Sequence, residues 1–141
     1  MTELKNYKMF IGGEWLDSDT DKTFETLNPE NNKPWARVPE ASASDVDKAV
    51  KAAHNAFEGE WSKLLPRDRA QFLRAIGNKL RENAELLGKI ETIDTGKLFR
   101  ETNKQAIYIA EYYDYYAGLA DKVEGTVLPI DKPNIQAITC L

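Results

Sequence analysis

The sequence contains few of the residues that commonly bind metals or form covalent intermediates. Its 141 residues include one cysteine, Cys140, and one histidine, His54. A single cysteine excludes an intrachain disulfide, which suits the reducing cytoplasm. No Cys/His cluster has zinc-ligand spacing, and neither residue has a neighbour that would activate it as a nucleophile or base. We therefore interpret His54 as a surface residue and Cys140 as an ordinary strand residue.

The sequence also lacks the glycine-rich loops that bind phosphate groups through backbone N–H groups. Its eight glycines occupy positions 12, 13, 59, 77, 88, 96, 118 and 125. Neither G-x-G-x-x-G nor G-x-x-x-x-G-K-[ST] can be drawn from this spacing. Nucleotide binding by this chain alone is therefore not expected.

Neither an excess of positive charge nor a long apolar run is present. The chain has 19 Lys and Arg residues against 23 Asp and Glu residues, for a net charge of −4. Nucleic-acid surfaces need clustered basic residues, and membrane helices need about 18 or more consecutive apolar residues. A basic start followed by an apolar stretch, typical of a signal peptide, is also missing. The predictions are no nucleic-acid partner, no membrane span and a cytoplasmic location.

What the sequence does contain is an α+β pattern in three sections. Over about residues 8–39, short alternating runs are separated by turn residues, and Gly12-Gly13 predicts a hairpin. Over about 42–122 the apolar spacing predicts four helices. Ser42 or Ser44 can cap the first, Pro66 suits the first turn of the second, and Asn83 can cap the third. Residues 125–141 return to two short strands that predict a terminal β-hairpin.

The fourth predicted helix, about residues 100–122, is apolar on two faces. One face has mostly small residues, at 106, 109, 110, 113, 117 and 120, and the other carries Tyr108, Tyr112, Tyr115 and Leu119. Small residues permit close packing, whereas tyrosines suit a contact in which each ring keeps a polar tip. Such a helix needs partners on both sides. Buried packing of the tyrosines and the lining of a pocket are both open interpretations.

One acidic residue has an unusual predicted position. Asp94 lies near the C-terminal end of the third helix, just before Gly96. The helix dipole disfavours a negative charge there. Either the carboxylate caps the turn, or it has a partner such as a lysine or a bound cation.

Several motifs, in order along the chain, resemble the N-terminal region of the NAD(P)-dependent aldehyde dehydrogenases. They include Phe-Ile-Gly-Gly-Glu-Trp at 10–15, Leu-Asn-Pro at 27–29 and Asp-Val-Asp-Lys-Ala-Val at 45–50. The most specific are Glu-Thr-Ile-Asp-Thr-Gly-Lys at 91–97 and Tyr-Tyr-Ala-Gly-Leu-Ala-Asp-Lys at 115–122. The resemblance covers nearly the whole chain.

The resemblance implies a family α/β fold of which this chain holds only the leading part. Residues 1–124 are expected to be the N-terminal part of the cofactor-binding domain without its Rossmann core, and 125–141 the start of an oligomerisation arm. Some family members bind a structural monovalent cation at positions matched here by Thr26, Leu27 and Asp94. The tyrosine-rich helix is expected near the substrate entrance, which implies a substrate-side role for Tyr108 and Tyr112.

The resemblance further implies oxidation of an aldehyde to a carboxylic acid with NAD or NADP in the full-length family. No residue here matches the catalytic thiol, the general base, the oxyanion asparagine or the nucleotide-binding glycines. We therefore expect a truncated product that binds no cofactor tightly and is inactive alone. Its partners would be a second copy or the missing C-terminal portion. The alternatives are a non-enzymatic module that docks onto such a partner, and a remnant without a role.

Overall fold

A computed structural model describes residues 4–139 of the chain, which form seven strands and five helices. The N-terminal strands are β1 (Lys5–Asn6), β2 (Met9–Ile11), β3 (Glu14–Leu16), β4 (Thr23–Asn28) and β5 (Lys33–Pro39). The helices are α1 (Ala43–Glu58), α2 (Glu60–Lys63), α3 (Pro66–Glu82), α4 (Ala84–Thr95) and α5 (Phe99–Leu119). Strands β6 (Val127–Leu128) and β7 (Ala137–Ile138) follow. The predicted α+β order is confirmed, and the short helix α2 was not predicted.

The predicted hairpin at Gly12-Gly13 joins β2 and β3. Both glycines have positive φ, 62° and 91°, which residues with a side chain rarely adopt. The resulting turn pairs Phe10 with Trp15, and their ring centroids lie 4.9 Å apart. This pairing of aromatic rings fixes the register of the hairpin.

A separate three-stranded sheet has the order β1-β5-β4, with β5 antiparallel to β4 and parallel to β1. The pairing of β4 with β5 shifts register between Thr26 and Leu27. Thr26 lies opposite Ala36, whereas Leu27 lies opposite Pro34. Trp35 is therefore the extra residue of a β-bulge, a feature that bends a strand and interrupts its ladder.

Helix α1 begins with a capping box, in which two side chains satisfy backbone donors at the helix start. The backbone N–H of Asp45 donates to Ser42 Oγ at 3.1 Å, and the Ser42 N–H donates back to Asp45 Oδ2 at 3.0 Å. The predicted cap at Ser42 is thus correct. The apolar stripe of α1 remains largely exposed, since Val46, Val50 and Phe57 each expose more than half of their surface.

The tightest packing joins α5 to α3 and α4. Ala106, Ala110 and Ala117 of α5 are buried, which confirms the alanines of the face predicted for this helix, whereas Ile109 of the same face is 39% exposed. A Cβ placed on Gly88 of α4 would lie 2.8 Å from the backbone nitrogen of Asn103, so only glycine permits this approach. Small residues thus bring the three helices into contact close to their backbones.

The surface of the chain is large for its mass. A folded monomer of 16.0 kDa has about 7,400 Å² of accessible surface, whereas this chain has 11233 Å², about 1.5 times as much. Every buried apolar residue in the described range is an alanine, and Tyr115, Phe57 and Ile138 are all more than half exposed. The folded elements therefore present a broad apolar surface that they do not cover themselves.

The last described element is the short hairpin of β6 and β7, in which Val127 pairs with Ile138. This antiparallel pairing confirms the predicted terminal hairpin, and Cys140 lies outside the described residues. Within residues 4–139, no helix is long and apolar enough to cross a membrane.

Candidate cation site

The three residues expected to hold a cation come from two elements that pack together. Thr26 and Leu27 lie in β4, and Asp94 lies in the last turn of α4. The Thr26 hydroxyl donates to Asp94 Oδ1 at 2.8 Å, across 68 residues of sequence. Gly96, with a φ of 76°, ends α4 in the left-handed conformation and lies beside Pro29 at the end of β4. The structure thus brings Thr26 and Asp94 together.

The electrostatic surroundings of Asp94 favour a positive charge. The residue lies at the C-terminal end of α4, where the helix dipole contributes partial negative charge. Within residues 4–139 no basic group lies within ion-pair distance of its carboxylate, and Lys97 pairs with Glu91 at 2.7 Å instead. The lysine partner considered for Asp94 is therefore not formed, and its carboxylate remains exposed.

The donor set at this place is made of oxygen, which hard cations prefer. Asp94 offers a carboxylate, and the contribution expected of Thr26 and Leu27 from the family resemblance is through their backbone carbonyls. Pro34, which lies opposite Leu27 across the bulge, has no N–H with which to bond to a carbonyl of β4. Thr26 and Asp94 also line a cavity of about 380 Å³. Tyr7, Phe24, Trp35, Val38 and Ile90 form the rest of this lining, so Asp94 is its only charged group, and Leu27 lies outside it.

Asp45 contrasts with Asp94, because its buried carboxylate accepts several hydrogen bonds and lies near a lysine. It is 3% exposed and accepts hydrogen bonds from the Ser42 N–H, the Ser18 hydroxyl at 2.8 Å and the Asp19 N–H. Lys48 lies 3.5 Å from its Oδ1. The pKa of Asp45 lies well below its usual range, mainly because the Ser42 backbone N–H donates a hydrogen bond to it. Burial opposes this lowering of the pKa, and the hydrogen bond from the Ser18 hydroxyl adds to it. This carboxylate joins the β3–β4 loop to α1.

Sequence reasoning missed the structural role of Asp45. The signal was present, since Ser42 followed three residues later by an acid is a capping-box pattern. What the pattern does not reveal is the second set of donors from Ser18 and Asp19, which comes from a loop about 26 residues earlier.

The remaining candidate residues do not form a catalytic cluster in the described range. His54 is exposed and pairs with Glu58 at 3.3 Å on the same helix. Among residues 4–139 no group of three His, Cys, Asp or Glu side chains is arranged to hold a metal ion. The expected cation site would depend instead on one carboxylate and on backbone oxygens.

The tyrosine face of α5, which comprises Tyr108, Tyr112, Tyr115 and Tyr116, is exposed. Tyr108 and Tyr112 pack edge to face with ring centroids 5.1 Å apart, and their hydroxyls lie 3.1 Å from each other. That hydrogen bond raises the pKa of Tyr112 above its ordinary value. With Glu111 these four residues line an open cavity of about 410 Å³.

Comparison with known proteins defines the class to which this fold belongs. Residues 15–140 match the model of the aldehyde dehydrogenase family, so the chain is a member of that family. It is 42% identical over 135 residues to (Z)-2-((N-methylformamido)methylene)-5-hydroxybutyrolactone dehydrogenase of Acinetobacter baylyi, covering 95% of this chain and 27% of that protein.

Solved structures give the same class. The aldehyde dehydrogenase of Bacillus cereus superposes with a TM-score of 0.84 at 38% identity, covering 91% of this chain and 26% of that one. Betaine aldehyde dehydrogenase of Staphylococcus aureus, solved in complex with NAD+, has a TM-score of 0.82 at 37% identity and covers 90% and 26%. The chain thus corresponds to the N-terminal region of the aldehyde dehydrogenase fold and spans about a quarter of these relatives' length.

Proposed function

We propose that this chain is the N-terminal portion of an enzyme that oxidises an aldehyde to a carboxylic acid with NAD+ or NADP+. The observation that carries the proposal is the family match over residues 15–140 combined with coverage of only 27% of a relative. In the complete enzyme the nicotinamide cofactor accepts the hydride. A cysteine thiolate that adds to the aldehyde, and an activated water that releases the acid, would belong to the parts that this chain does not span.

The chain's own residues do not fit the dinucleotide. Its glycine spacing contains no phosphate-binding loop, and its only cysteine, Cys140, does not match the catalytic motif of the family. We therefore propose that residues 1–124 are a scaffold beside the cofactor domain and that 125–141 begin an oligomerisation arm. A cytoplasmic location and a small aldehyde substrate belong to the same proposal, as does a substrate-side position for Tyr108 and Tyr112.

The Thr26, Leu27 and Asp94 group serves this scaffold as a structural cation site. Its ion would connect the end of β4 to the end of α4 and neutralise the charge of Asp94. The hydrogen bond between Thr26 and Asp94 and the absence of a basic partner among residues 4–139 support this role.

A direct test is the activity of the purified 141-residue chain. NADH or NADPH formation would be followed by absorbance with a panel of aliphatic, aromatic and betaine-type aldehydes. We expect no aldehyde-dependent signal. Activity that disappears when one of this chain's own residues is substituted, for example in Cys140→Ala, would overturn the proposal.

The second candidate is a non-catalytic module that docks onto the remaining part of a dehydrogenase chain. The observation that favours it is the accessible surface of 11233 Å², which is about 1.5 times that of a folded monomer of this mass. The tyrosine face of α5 is the part of this surface that suits a half-wetted contact.

To test docking, the chain is mixed with a variant of the Staphylococcus aureus betaine aldehyde dehydrogenase that lacks the matching N-terminal region. Light scattering should detect a complex with one copy of each chain. Tyr112→Arg should prevent it, whereas Lys104→Arg, on the same helix, should not. A wild-type chain that remains a monomer in the mixture would contradict the docking role.

A further inference from the structure

We propose that a groove between α3 and α4 receives an apolar helix from the part of the dehydrogenase polypeptide that follows this chain. The groove is lined by Phe72 and Ile76 of α3 and by Leu86 and Leu87 of α4, and its volume is about 470 Å³. The inference rests on the proposal that the chain is the N-terminal portion of an enzyme. It adds which surface is covered in that enzyme and what kind of segment covers it.

The groove lies on a second apolar face of α3. Ala70 and Gly77 form the first face, which is buried, and a Cβ on Gly77 would lie 3.2 Å from the Ala110 carbonyl oxygen of α5. Phe72 and Ile76 lie one helical turn apart on the other side of the helix. They are 52% and 43% exposed. Helix α3 therefore packs one face against α5, while its second apolar face is left open to solvent by the described residues.

Helix α4 provides the other wall of the groove. Asn83 alone separates the end of α3 from the start of α4, so the two helices stay adjacent there. Gly88 faces α5 at Asn103, whereas Leu86 and Leu87 are 55% and 38% exposed. Two helices with apolar side chains on neighbouring faces form the kind of groove that receives a third helix, through apolar residues spaced three and four apart.

The polar groups of the groove already have partners within the chain. Among the described residues that line it, Lys79 is the only charged one, and its ammonium pairs with Glu82 at 2.6 Å on the same helix. The side-chain amide of Asn83 donates to the Lys79 carbonyl at 2.8 Å. Binding in this groove is therefore driven by burial of apolar surface rather than by charge, which favours an apolar helix face as the occupant.

The surface area of the chain distinguishes between two possible occupants. Its 11233 Å² exceed the surface of a folded monomer of this mass by about 3,800 Å². A standard interface buries about 800 Å² on each partner, so pairing with a second copy would cover only about a fifth of this excess. The chain spans 27% of the Acinetobacter baylyi relative, and the remainder of such a polypeptide is large enough to cover the rest. The occupant is therefore a helix of that remainder.

The test places a photo-cross-linker in the groove of a full-length enzyme. This enzyme is Staphylococcus aureus betaine aldehyde dehydrogenase with its matching N-terminal region replaced by the present chain. On illumination, Leu86→p-benzoylphenylalanine should cross-link to a helix that follows the exchanged region, and the product should keep the mass of one subunit on a denaturing gel. Arg74→p-benzoylphenylalanine is the control on the opposite side of α3 from Ile76, and it should not react with that helix.

A second measurement compares Leu86→Gln in the 141-residue chain and in the full-length chimaera. Leu86 is more than half exposed in the chain alone, so the substitution should leave the urea midpoint of the chain nearly unchanged. In the chimaera the new amide would be buried against apolar side chains, so the midpoint should fall below that of the unsubstituted chimaera. An equally small change in both proteins would overturn the inference.

The remaining outcomes separate this inference from the proposed function. A cross-link from position 86 that doubles the subunit mass, in the chimaera or in the 141-residue chain, would assign the groove to a second copy. A folded and active chimaera without the cross-link to a following helix would leave the proposed function standing and refute the groove assignment. A chimaera that does not fold would contradict both.

Discussion

The two faces of α5 belong to one helix, but one face is buried against other helices and the other is exposed. One face packs Ala106, Ala110 and Ala117 against α3 and α4, and all three are at most 8% exposed. The other face presents Tyr108 and Tyr115, which are 56% and 63% exposed. Small residues bring backbones together within this chain, whereas large amphipathic residues extend outward. The difference indicates that the alanine face stabilises the chain itself and that the tyrosine face is available for contact with another polypeptide segment.

The largest expected loss of stability comes from adding a methyl group where α4 and α5 approach each other most closely. In Gly88→Ala the new methyl group would lie 2.8 Å from the Asn103 nitrogen and force α4 and α5 apart. We expect a loss of about 2–3 kcal/mol of unfolding free energy, measured by urea denaturation. Gly118→Ala is the control on α5, because its added methyl would contact no other element within 4 Å. It should be neutral or stabilise by up to about 1 kcal/mol, and equal losses in the two variants would contradict this packing.

A smaller effect is expected from the buried hydroxyl between the same helices. Thr102 is fully buried, and its hydroxyl donates to the Gly88 carbonyl at 2.9 Å and lies 3.0 Å from Thr92 Oγ1. Thr102→Val keeps the volume and removes the hydrogen bonds, which should cost about 1–2 kcal/mol in urea denaturation. Thr102→Ser keeps the hydroxyl and should lose less. If the serine variant is the less stable of the two, packing of the methyl group matters more than hydrogen bonding.

The smallest effect on stability is expected on the exposed side. Tyr108→Phe removes the hydroxyl that lies 3.1 Å from that of Tyr112, on a surface open to water. Unfolding free energy should change by less than about 0.5 kcal/mol. The pKa of Tyr112, which the hydrogen bond with Tyr108 raises, should fall back toward its ordinary value. Titration followed by tyrosinate absorbance measures this shift. A large loss of stability would show that the tyrosine face already supports the chain.

Local signals in the sequence predicted the elements well. Gly12-Gly13 specified a hairpin, Ser42 and Pro66 marked helix starts, and Gly96 marked a helix end. The stripe of small residues identified the packed face of α5. These features depend on backbone conformation and on residues within one or two helical turns, which is why a sequence reveals them.

Long-range contacts were predicted less well. The apolar stripe of α1 indicated burial, yet Val50 is 62% exposed because the β2–β3 hairpin covers only part of the helix. The side chain of Asn83, expected to cap α4, bonds instead to the Lys79 carbonyl of the preceding helix. Thr26 and Asp94 were paired through a family resemblance, since 68 residues separate them and no local pattern connects them.

The main proposal is that this chain supplies the N-terminal part of an aldehyde dehydrogenase and is not catalytic alone. The most direct measurement uses a chimaera of Staphylococcus aureus betaine aldehyde dehydrogenase, whose matching N-terminal region is replaced by this chain. NADH formation from betaine aldehyde and NAD+ is followed by absorbance. We predict activity in the chimaera, none in the 141-residue chain, and a lower urea midpoint for the Gly88→Ala chimaera than for the unsubstituted chimaera. A folded chimaera without activity, or activity in the chain alone, would contradict the account.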